Sequence, residues 1–512
     1  MSFKENLTLL YEKSPHIAFL AHTSPRKKRK KRGKVDFNTS ADLLYICGLD
    51  DSYPYLKRWL SEKEIRKLVY LEGDPGKVVD FLHSPLAHFL LQDPQVYLIF
   101  SSKKTKCVAE ELANRFPTKN LDVVGPKRFR WEILRATLLI SGLLTDRLFS
   151  YVPFQNFIHN LRKLPSSFLV NNLKGLFRGL PAIIVGAGPT LAESIPVLRQ
   201  AVSKALVIAG GSGFPALTSQ GVFPHLAVMV DPNQEEVERA KIAKAPHVPL
   251  IYNMRTHPDV VDVFQGPIGY IRSTICALHD LWMEEELGIT KEVIGKALKK
   301  ETLSVTPLCL ELAHYLGCSP IVLVGVDLAY TYGKRYAGGV VEKESPIESG
   351  VKMGNLITTL PWLLEKNVLS SLARKRKIIN ASKNGLSIFR IPYLPLREVL
   401  SQAPLIDIGS FLQRKMLNKL SITKEAIENL IEKLQVSIQR CYDKVLLLEK
   451  GENPLAEMEL QEEPAMKILF YDTKKLVKSW ASFRAFLEEY LKGSPYAIHG
   501  PCKARCTSIK GP

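Results

Sequence analysis

Short apolar runs rich in β-branched residues recur along most of the chain, and each ends at glycines, hydroxyls or acids. The clearest run spans Ala182 to Val185 and leads into Gly-Ala-Gly-Pro-Thr at residues 186–190. Such continuous apolar runs are typical of parallel strands that are buried on both faces. Pro189 suits the first position of a helix, because its missing N–H needs no partner there. The pattern predicts a strand, a glycine loop and a helix start that attracts anions.

Two similar strand ends follow at residues 205–208 and 226–230. They lead into glycines, a hydroxyl, an acid and an amide: Gly210, Gly211, Ser212, Asp231 and Asn233. The carboxyl ends of parallel strands meet at one edge of a sheet, so these residues predict a nucleotide-sized cleft. Ordinary tight turns of an α/β core are the alternative.

The glycine loop fits neither of two common nucleotide motifs. Leu191 occupies the position of the third glycine of the dinucleotide fingerprint, and no Gly-Lys-Ser/Thr follows the loop. NAD binding and Walker-type ATP binding are therefore disfavoured.

Later segments extend the strand pattern. Residues 248–252 lead to Asn253, residues 268–272 lead to a Ser-Thr pair at 273–274, and residues 321–324 lead to Asp327. Burying an acid is costly unless it has a partner. We therefore expect Asp327 either to accept hydrogen bonds from loop N–H groups or to contact a ligand, and we leave both roles open.

The N-terminal part repeats the alternation of strands and helices. Apolar runs at residues 43–47, 68–71 and 96–100 indicate strands, and the second ends at Glu72, where Rossmann folds bind a ribose. The first loop, however, carries Asp50 and Asp51 where phosphate binding would need open N–H groups. A Rossmann-like scaffold without a ligand site is favoured.

The last part of the chain has helical periodicity. One apolar seam runs from Ile427 to Leu448 at spacings of three and four residues, and a second apolar helix is predicted from Pro464. The two are predicted to form an antiparallel hairpin that builds core, with docking of a partner protein as the alternative.

The predicted fold is α/β with a central doubly wound Rossmann-like domain. The predicted parts are a smaller Rossmann-like domain over residues 1–165, the central domain over 166–400, a helical hairpin or bundle over 401–492 and a disordered basic tail over 493–512.

Composition is ordinary for a soluble globular protein, with 46% hydrophobic and 24% charged residues. We find no signal peptide and no apolar run long enough to span a bilayer. The 8 cysteines have no CxxC spacing, which predicts a reducing, cytoplasmic compartment without a disulfide framework or a zinc site.

The net charge is +19, and an unbroken run of Lys and Arg from Arg26 to Arg32 supplies a large share of it. Such a run is predicted to be a solvated loop that does not pack. Nuclear import or contact with nucleic acid is the sharper alternative for this run. The remaining positive charge favours an anionic ligand or an acceptor close to a membrane.

Several motifs together resemble one family. They are the Gly-Ala-Gly-Pro-Thr-Leu loop at 186–191, Asp-Pro-Asn at 231–233, Ser-Val-Thr at 304–306, Gly-Val-Asp-Leu at 325–328 and Ile-Asn-Ala-Ser at 379–382. They resemble the motifs of the motility accessory factor (Maf) flagellin glycosyltransferases, a bacterial group, and of the related MptE-like hydroxymethylpterin diphosphokinases. The resemblance covers roughly residues 170–390.

The resemblance implies a central domain similar to sialyltransferases. It implies a CMP-linked nonulosonic acid as donor and a Ser or Thr hydroxyl of a protein as acceptor, while dependence on a divalent metal such as Mg stays open. The residues implied in nucleotide binding are Gly186, Gly188, Pro189, Thr190, Gly210, Gly211, Ser212, Asn233, Asn253, Ser304, Thr306 and Asn380. Asp231, Asp327, His257 and Tyr336 are the candidates for catalysis.

One position departs from the family pattern. Relatives often carry histidine where this chain has Tyr336, so a substitute general base would have to be His257 or His225. Two other functions therefore stay open: an ATP-dependent diphosphokinase that acts on a hydroxymethylpterin-like alcohol, and a non-catalytic adaptor or effector on a nucleotide-binding scaffold.

Overall fold

In the computed structural model, the predicted apolar runs form the strands of two parallel sheets, one in each of the units Met1–Arg147 and Leu148–Pro512. The structure describes residues 2–29, 33–101, 104–116, 118, 120–148, 151–272, 278–289, 292–295, 298, 304–340, 351–451, 455–469, 484–485, 487–488 and 491. The predicted Ser-Thr pair at 273–274 and the predicted tail at 493–512 lie outside these residues. The predicted domain boundaries at 165 and 400 stay predictions.

The first unit is a small Rossmann-like domain. Its strands are β1 Leu43–Cys47, β2 Lys67–Glu72, β3 Val96–Phe100 and β4 Leu121–Val124. Its helices are α1 Phe3–Lys13, α2 Pro15–His22, α3 Tyr53–Ser61, α4 Pro75–Leu82, α5 Pro85–Gln92, α6 Thr105–Arg115 and α7 Lys127–Leu148, which crosses the boundary. The strand order is β3-β2-β1-β4 and every neighbouring pair is parallel. β4 was not predicted, because its core, Asp-Val-Val, is too short and polar to stand out.

The carboxyl edge of this first sheet uses its acids internally. Glu72 accepts hydrogen bonds from the N–H groups of Leu49 (3.2 Å), Gly73 (3.0 Å) and Asp74 (3.1 Å). An acid that is occupied in this way is not available to a ribose. The absence of a ligand site from this first unit stays a prediction.

The basic run does not behave as predicted. Arg29 is buried, and its guanidinium forms a 2.6 Å ion pair with Asp51. The prediction that the run is a solvated loop is therefore wrong for Arg29. The reason is that carboxylates of the same unit pair with Arg26, Lys27 and Arg29, which a count of charges along the chain does not reveal.

The second unit contains the remaining elements. Its strands are β5 Phe168–Leu169, β6 Ala182–Val185, β7 Leu206–Gly210, β8 Leu226–Val228, β9 Leu250–Tyr252, β10 Ile268–Tyr270, β11 Ile321–Val324, β12 Val351–Met353, β13 Leu356–Thr358 and β14 Ile378–Asn380. Its helices are α8 Tyr151–Leu161, α9 Leu191–Ala201, α10 Gly213–Thr218, α11 Gln234–Ile242, α12 Pro258–Val263, α13 Leu278–Glu286, α14 Val305–Tyr315, α15 Leu360–Leu372, α16 Leu396–Val399, α17 Ile408–Met416, α18 Lys424–Lys450, α19 Ala456–Glu462 and α20 Pro464–Leu469.

The main sheet of this unit has a topological switch point at β6. The strand order is β14-β11-β6-β7-β8-β9-β10-β5, and all neighbours are parallel. From β6 the chain first adds strands on one side and then crosses to add β11 on the other. In doubly wound sheets, ligands bind outside the carboxyl ends of the strands at such a point. The predicted doubly wound fold is confirmed.

Both faces of the sheet are covered. Ile183 and Val185 of β6 pack into one apolar cluster, and Ala182 and Ile184 pack into another on the opposite face. Alternate residues of a strand point to opposite faces, so a strand buried on both sides reads as a continuous apolar run. This is why β6 was visible in the sequence.

The long helix α18 contributes to the core. Ile427, Leu434 and Cys441 are 1%, 0% and 0% exposed and belong to the same cluster as Val185. The predicted apolar seam therefore builds core, whereas the helix predicted from Pro464 is described continuously only as far as Leu469. No helix in the described part of the chain is both long and apolar enough to span a membrane.

Candidate functional site

The loops after β6 and β11 meet at the switch point and are tightly joined. The N–H groups of Gly186 and Gly188 donate to the carbonyl oxygens of Val324 (2.8 Å) and Gly325 (2.7 Å). A Cβ on Gly186 would lie 2.4 Å from the oxygen of Gly325, and one on Gly188 would lie 2.4 Å from Cγ of Asp327. The two glycines are therefore required by the close approach of these loops.

Asp327 occupies the start of α9. Its carboxylate accepts the N–H of Thr190 at 3.0 Å and also the Thr190 hydroxyl. Both residues are 2% exposed, and burial raises the pKa of Asp327 while the hydrogen bonds from Thr190 oppose that shift. Of the two roles that the sequence left open for Asp327, the structure thus shows the first, in which the carboxylate accepts hydrogen bonds from the loop. The anion position that we predicted beside Pro189 is filled by the protein's own carboxylate.

Open backbone donors lie at the next loop. In the described residues, the N–H groups of Ala187, Ser212 and Gly213 have no protein acceptor. The two loops touch, because a Cβ on Gly213 would lie 2.3 Å from the oxygen of Val185. Gly213 is buried, whereas Ala187 and Ser212 are partly exposed. Backbone N–H groups without acceptors can bind a phosphate. The available anion position is thus displaced from the start of α9 towards the end of β7.

Gly210 and Gly211 shape this loop. Gly211 has φ +49°, and a Cβ on Gly210 would lie 2.8 Å from Cγ1 of Val305, at the start of α14. Ser304 and Thr306 therefore stand across the end of β7 from the open donors. Their hydroxyls act to lower the pKa of Glu365, although burial dominates and raises it.

Asp231, Glu236 and Arg239 form a charged group after β8. The Asp231 side chain is 54% exposed and lies 3.9 Å from Arg239, which also pairs with Glu236 at 2.8 Å. Burial, helped by the charge of Asp231 and opposed by Arg239, raises the pKa of Glu236 to about 7. Asn233 accepts the Glu236 N–H at 3.3 Å and so caps α11. Asp231 is the accessible carboxylate of this group.

Sequence reasoning missed Glu236 and Arg239. The available signal was the spacing Asn233-x-x-Glu236, which is typical of a capped helix start. That signal indicates a helix boundary and does not reveal that Glu236 turns inward.

His257 is close to Asp231 but is poorly suited to act as a base. Its backbone N–H donates to the backbone carbonyl of Asp231 (3.1 Å), and its ring Nδ1 accepts the backbone N–H of Asp259 (3.3 Å). In the neutral ring, the proton then sits on Nε2, so the exposed nitrogen is a donor. His225 is partly buried before β8, at the opposite edge of the sheet, and loss of solvent contact lowers its pKa to about 4.

Two predicted binding residues support turns. The Oδ1 of Asn253 accepts the N–H groups of Arg255 and Thr256, both at 3.1 Å. The Oδ1 of Asn380 accepts the N–H of Ser382 at 2.9 Å. Both asparagines are almost fully buried, so in this structure their amide oxygens hold the loops after β9 and β14.

The segment after β11 lies over the glycine loop. The N–H of Ala337 donates to the carbonyl of Ala187 at 2.7 Å. The neighbouring Tyr336 lies close enough to Arg239 to interact with it electrostatically. Tyr332 donates to Glu193 of α9 and accepts from Asn384 at 2.6 Å. This segment brings Tyr336 to the same edge as Asp231.

In the part of the chain that the structure describes, no group of three or more His, Cys, Asp and Glu side chains is placed to hold a metal ion. The dependence on a divalent metal stays a prediction. The open N–H groups of Ala187, Ser212 and Gly213 are the described groups best suited to a phosphate.

The fold defines a doubly wound Rossmann-like domain with glycine loops and charged side chains at the carboxyl edge of its sheet. Residues 155–333 match the family model described as 6-hydroxymethylpterin diphosphokinase MptE-like. Over this part of the chain, the match confirms the predicted resemblance to the Maf and MptE-like family.

Two individual proteins are also similar. Over 143 residues the chain is 27% identical to an uncharacterized protein from Treponema pallidum (strain Nichols), and the match covers 26% of this chain and 36% of that protein. The chain thus spans about a third of the length of this relative. A solved Maf glycosyltransferase from Magnetospirillum magneticum AMB-1 aligns over 96% of this chain and 91% of its own, with a TM-score of 0.46 and 13% identity.

Proposed function

We propose that the chain is a glycosyltransferase that moves a nonulosonic acid from a CMP-sugar to a Ser or Thr hydroxyl of a protein. The observation that carries this proposal is that two kinds of chemical group lie at one edge of the sheet. Open N–H donors lie after β6 and β7, and an accessible carboxylate, Asp231, lies after β8. Transfer from a nucleotide sugar to a hydroxyl needs both.

The chemistry assigns a role to each group. Asp231 takes the proton of the acceptor hydroxyl as its oxygen forms the bond to the anomeric carbon. The bond between that carbon and the phosphate oxygen breaks, and CMP departs with the electron pair. The N–H groups of Ala187, Ser212 and Gly213 stabilise the negative charge that develops on the phosphate. Arg239 lies 3.9 Å from the Asp231 carboxylate and forms an ion pair with it.

Tyr336 then serves as a hydrogen-bond donor in place of the histidine of relatives. It lies next to Ala337, whose N–H donates a hydrogen bond to the carbonyl of Ala187 in the glycine loop. This hydrogen bond holds the segment that contains Tyr336 against the glycine loop. A phenol is protonated at neutral pH, so its O–H donates a hydrogen bond to a phosphate oxygen but cannot take up the proton of an acceptor hydroxyl.

A melting-temperature screen tests the proposal. CMP and CTP are expected to raise the melting temperature of the full chain, and UDP, GDP and ATP with magnesium are not, because a bound ligand stabilises only the state that binds it. A direct assay then follows release of CMP from a CMP-nonulosonic acid in the presence of a flagellin-type acceptor. A response to ATP alone would overturn the donor assignment.

The family match favours one second candidate. Residues 155–333 match a diphosphokinase family model. Transfer of a diphosphate from ATP to a hydroxymethylpterin-like alcohol would use the same two kinds of group, N–H groups that bind phosphate and a base that takes the proton of a hydroxyl. This candidate predicts stabilisation by ATP with magnesium and consumption of a pterin. The adaptor alternative predicts no response to any nucleotide.

A further inference from the structure

The described part of the basic run is bound to the first unit as a peptide ligand would be. Lys27 donates its N–H to the carbonyl of Gly76 at 2.9 Å, and Arg29 donates its N–H to Oδ2 of Asp80 at 3.3 Å. Main-chain contacts of this kind fix the position of a bound segment. We name the surface that receives the run, formed by Asp51, Asp74, Gly76, Asp80 and Phe81, the acidic seat.

Three carboxylates in the acidic seat receive three cations. Nζ of Lys27 lies 2.6 Å from Asp74, and Nε of Arg26 lies 2.8 Å from Asp80. Hydrogen bonding to Lys27 lowers the pKa of Asp74, and the hydrogen bonds from Arg26 and Arg29 lower that of Asp80 against the effect of burial. Docking of the segment therefore favours the charged forms of Asp74 and Asp80.

Arg29 is the anchor of the segment. Its side chain is 3% exposed, lies 2.6 Å from Asp51 and 3.7 Å from Asp80, and stacks with its guanidinium carbon 5.1 Å from the centroid of the Phe81 ring. A planar guanidinium can stack on a ring and pair with a carboxylate at the same time, whereas a lysine ammonium cannot match this geometry. The seat is thus built for arginine.

Gly76 makes room for the main chain of the segment. A Cβ at this position would lie 2.5 Å from the carbonyl oxygen of Pro25 and 2.8 Å from Cβ of Lys27. Gly76 lies in the first turn of α4, where alanine would otherwise be the better helix former. Its small size therefore serves the docked segment.

The docking is good but incomplete. In the described residues, Nε and Nη1 of Arg29 are buried without a hydrogen-bond partner. Burying a guanidinium with unsatisfied donors costs free energy and offsets part of the gain from the ion pairs. Such a segment can be exchanged for a better ligand.

We propose that the acidic seat is a recognition site for an Arg- and Lys-rich polypeptide segment, and that residues 26–29 of the chain itself occupy it in cis. The acidic seat recognises both the main chain and the side chains of the docked segment, and it requires arginine at the position of Arg29. While docked, these residues are not available to nucleic acid or to a transport receptor. This site does not depend on the proposed transferase activity.

A binding experiment on the full chain tests the seat. Arg26, Lys27 and Arg29 are changed to alanine to empty it, and a fluorescent peptide of residues 23–34 is added while anisotropy is measured. The emptied variant is expected to bind the peptide at least about tenfold more tightly than the native chain, whose own segment competes at high effective concentration. Equal binding to the two proteins would overturn the proposal.

Two matched controls separate recognition from general charge attraction. Adding D51N and D80N to the emptied variant is expected to abolish binding, whereas D42N, at the opposite edge of the same sheet, is expected to leave it unchanged. A peptide with lysine in place of Arg29 carries the same charge and is expected to bind at least about fivefold more weakly. Equal binding of the two peptides would contradict a built arginine seat.

A second variant keeps all charges and so guards against misfolding of the emptied chain. G76A is expected to displace the segment and to increase the rate of tryptic cleavage after Arg26 and Lys27 several-fold, with circular dichroism unchanged. The control G338A, whose added Cβ meets nothing nearer than 3.8 Å, is expected to leave the cleavage rate unchanged. Unaltered cleavage in G76A would count against the docked segment.

Discussion

Asp327 determines how the glycine loop after β6 can be used. Its carboxylate accepts both the N–H and the hydroxyl of Thr190, so the strongest anion position of α9 is satisfied within the protein. The open donors are then Ala187, Ser212 and Gly213. At the scale of single residues, a glycine-rich sequence indicates that the backbone is approached closely. It does not indicate whether a ligand or a neighbouring loop makes that approach.

Asp231 is the residue whose change should affect catalysis most selectively. In D231N the acceptor proton has no base, so we expect kcat to fall by about 10²- to 10⁴-fold. Since the side chain is half exposed, the melting temperature should change little. The measurement is CMP release at saturating donor, with D259N as an exposed acid control on α12. A kcat within threefold of the native value in D231N would exclude Asp231 as the base.

Glu236 should make stability depend on pH. Burial raises its pKa from 4.5 to about 7, so between these values the folded protein keeps a proton that the unfolded chain has lost. Stability attributable to Glu236 therefore falls as pH rises through this window, by up to about 3 kcal/mol. Urea unfolding of the native chain and of E236Q from pH 4 to pH 8 measures the difference. Parallel pH profiles for the two proteins would contradict this assignment.

At the scale of elements, the buried strands were the most predictable part of the structure. β6, β7 and β11 are covered on both faces and so appear as continuous apolar runs, and their ends were predicted to within two residues. β5, with only Phe168–Leu169, and the hairpin of β12 and β13 were missed. Two or three residues at the edge of a sheet leave too little pattern to detect.

The candidate site was predicted in its location but not in its internal contacts. Strand ends reveal which edge of the sheet carries chemistry, and Asp231 and Tyr336 do lie at this edge. The sequence could not reveal that Arg239 joins Asp231 to Glu236, because that contact depends on how α11 is rotated about its axis. It also could not reveal that Asn253 and Asn380 use their oxygens to hold turns.

The junction between the loops after β6 and β11 should tolerate no side chain at Gly188. In G188A the new Cβ would lie 2.4 Å from Cγ of Asp327, so either Thr190 or Asp327 must move. We expect a loss of about 2–4 kcal/mol of stability, in the range of overpacked cores and broken buried hydrogen bonds. Chemical denaturation measures it.

The matched control for this junction is G338A, on the segment that covers the glycine loop. Its added Cβ meets nothing nearer than 3.8 Å, so its stability should stay within about 0.5 kcal/mol of the native value. If G188A were as stable as G338A, the two loops would not be packed as described.

At the scale of the whole molecule, charge is distributed differently from what the sequence predicts. The net charge of +19 includes cations that are already paired within the first unit, among them Arg26, Lys27 and Arg29. The run is therefore a poor measure of how strongly the protein attracts nucleic acid. Cytoplasmic localisation stays a prediction from the cysteine pattern, and a protein acceptor stays a prediction from the resemblance.

The central claim is that N–H groups after β6 and β7 hold the phosphate of a cytidine nucleotide. Ser212 allows a direct test, because its φ of −61° is compatible with proline, which lacks an N–H. S212A removes only the hydroxyl and serves as the control. Isothermal titration calorimetry with CMP measures the affinity of the native chain and both variants.

In that titration, the native chain and S212A are expected to bind CMP with affinities within about threefold of each other, and S212P is expected to bind at least about tenfold more weakly, a loss of about 1.4 kcal/mol. Absence of heat with the native chain, or equal binding by S212P, would contradict the claim that these amides form the nucleotide site.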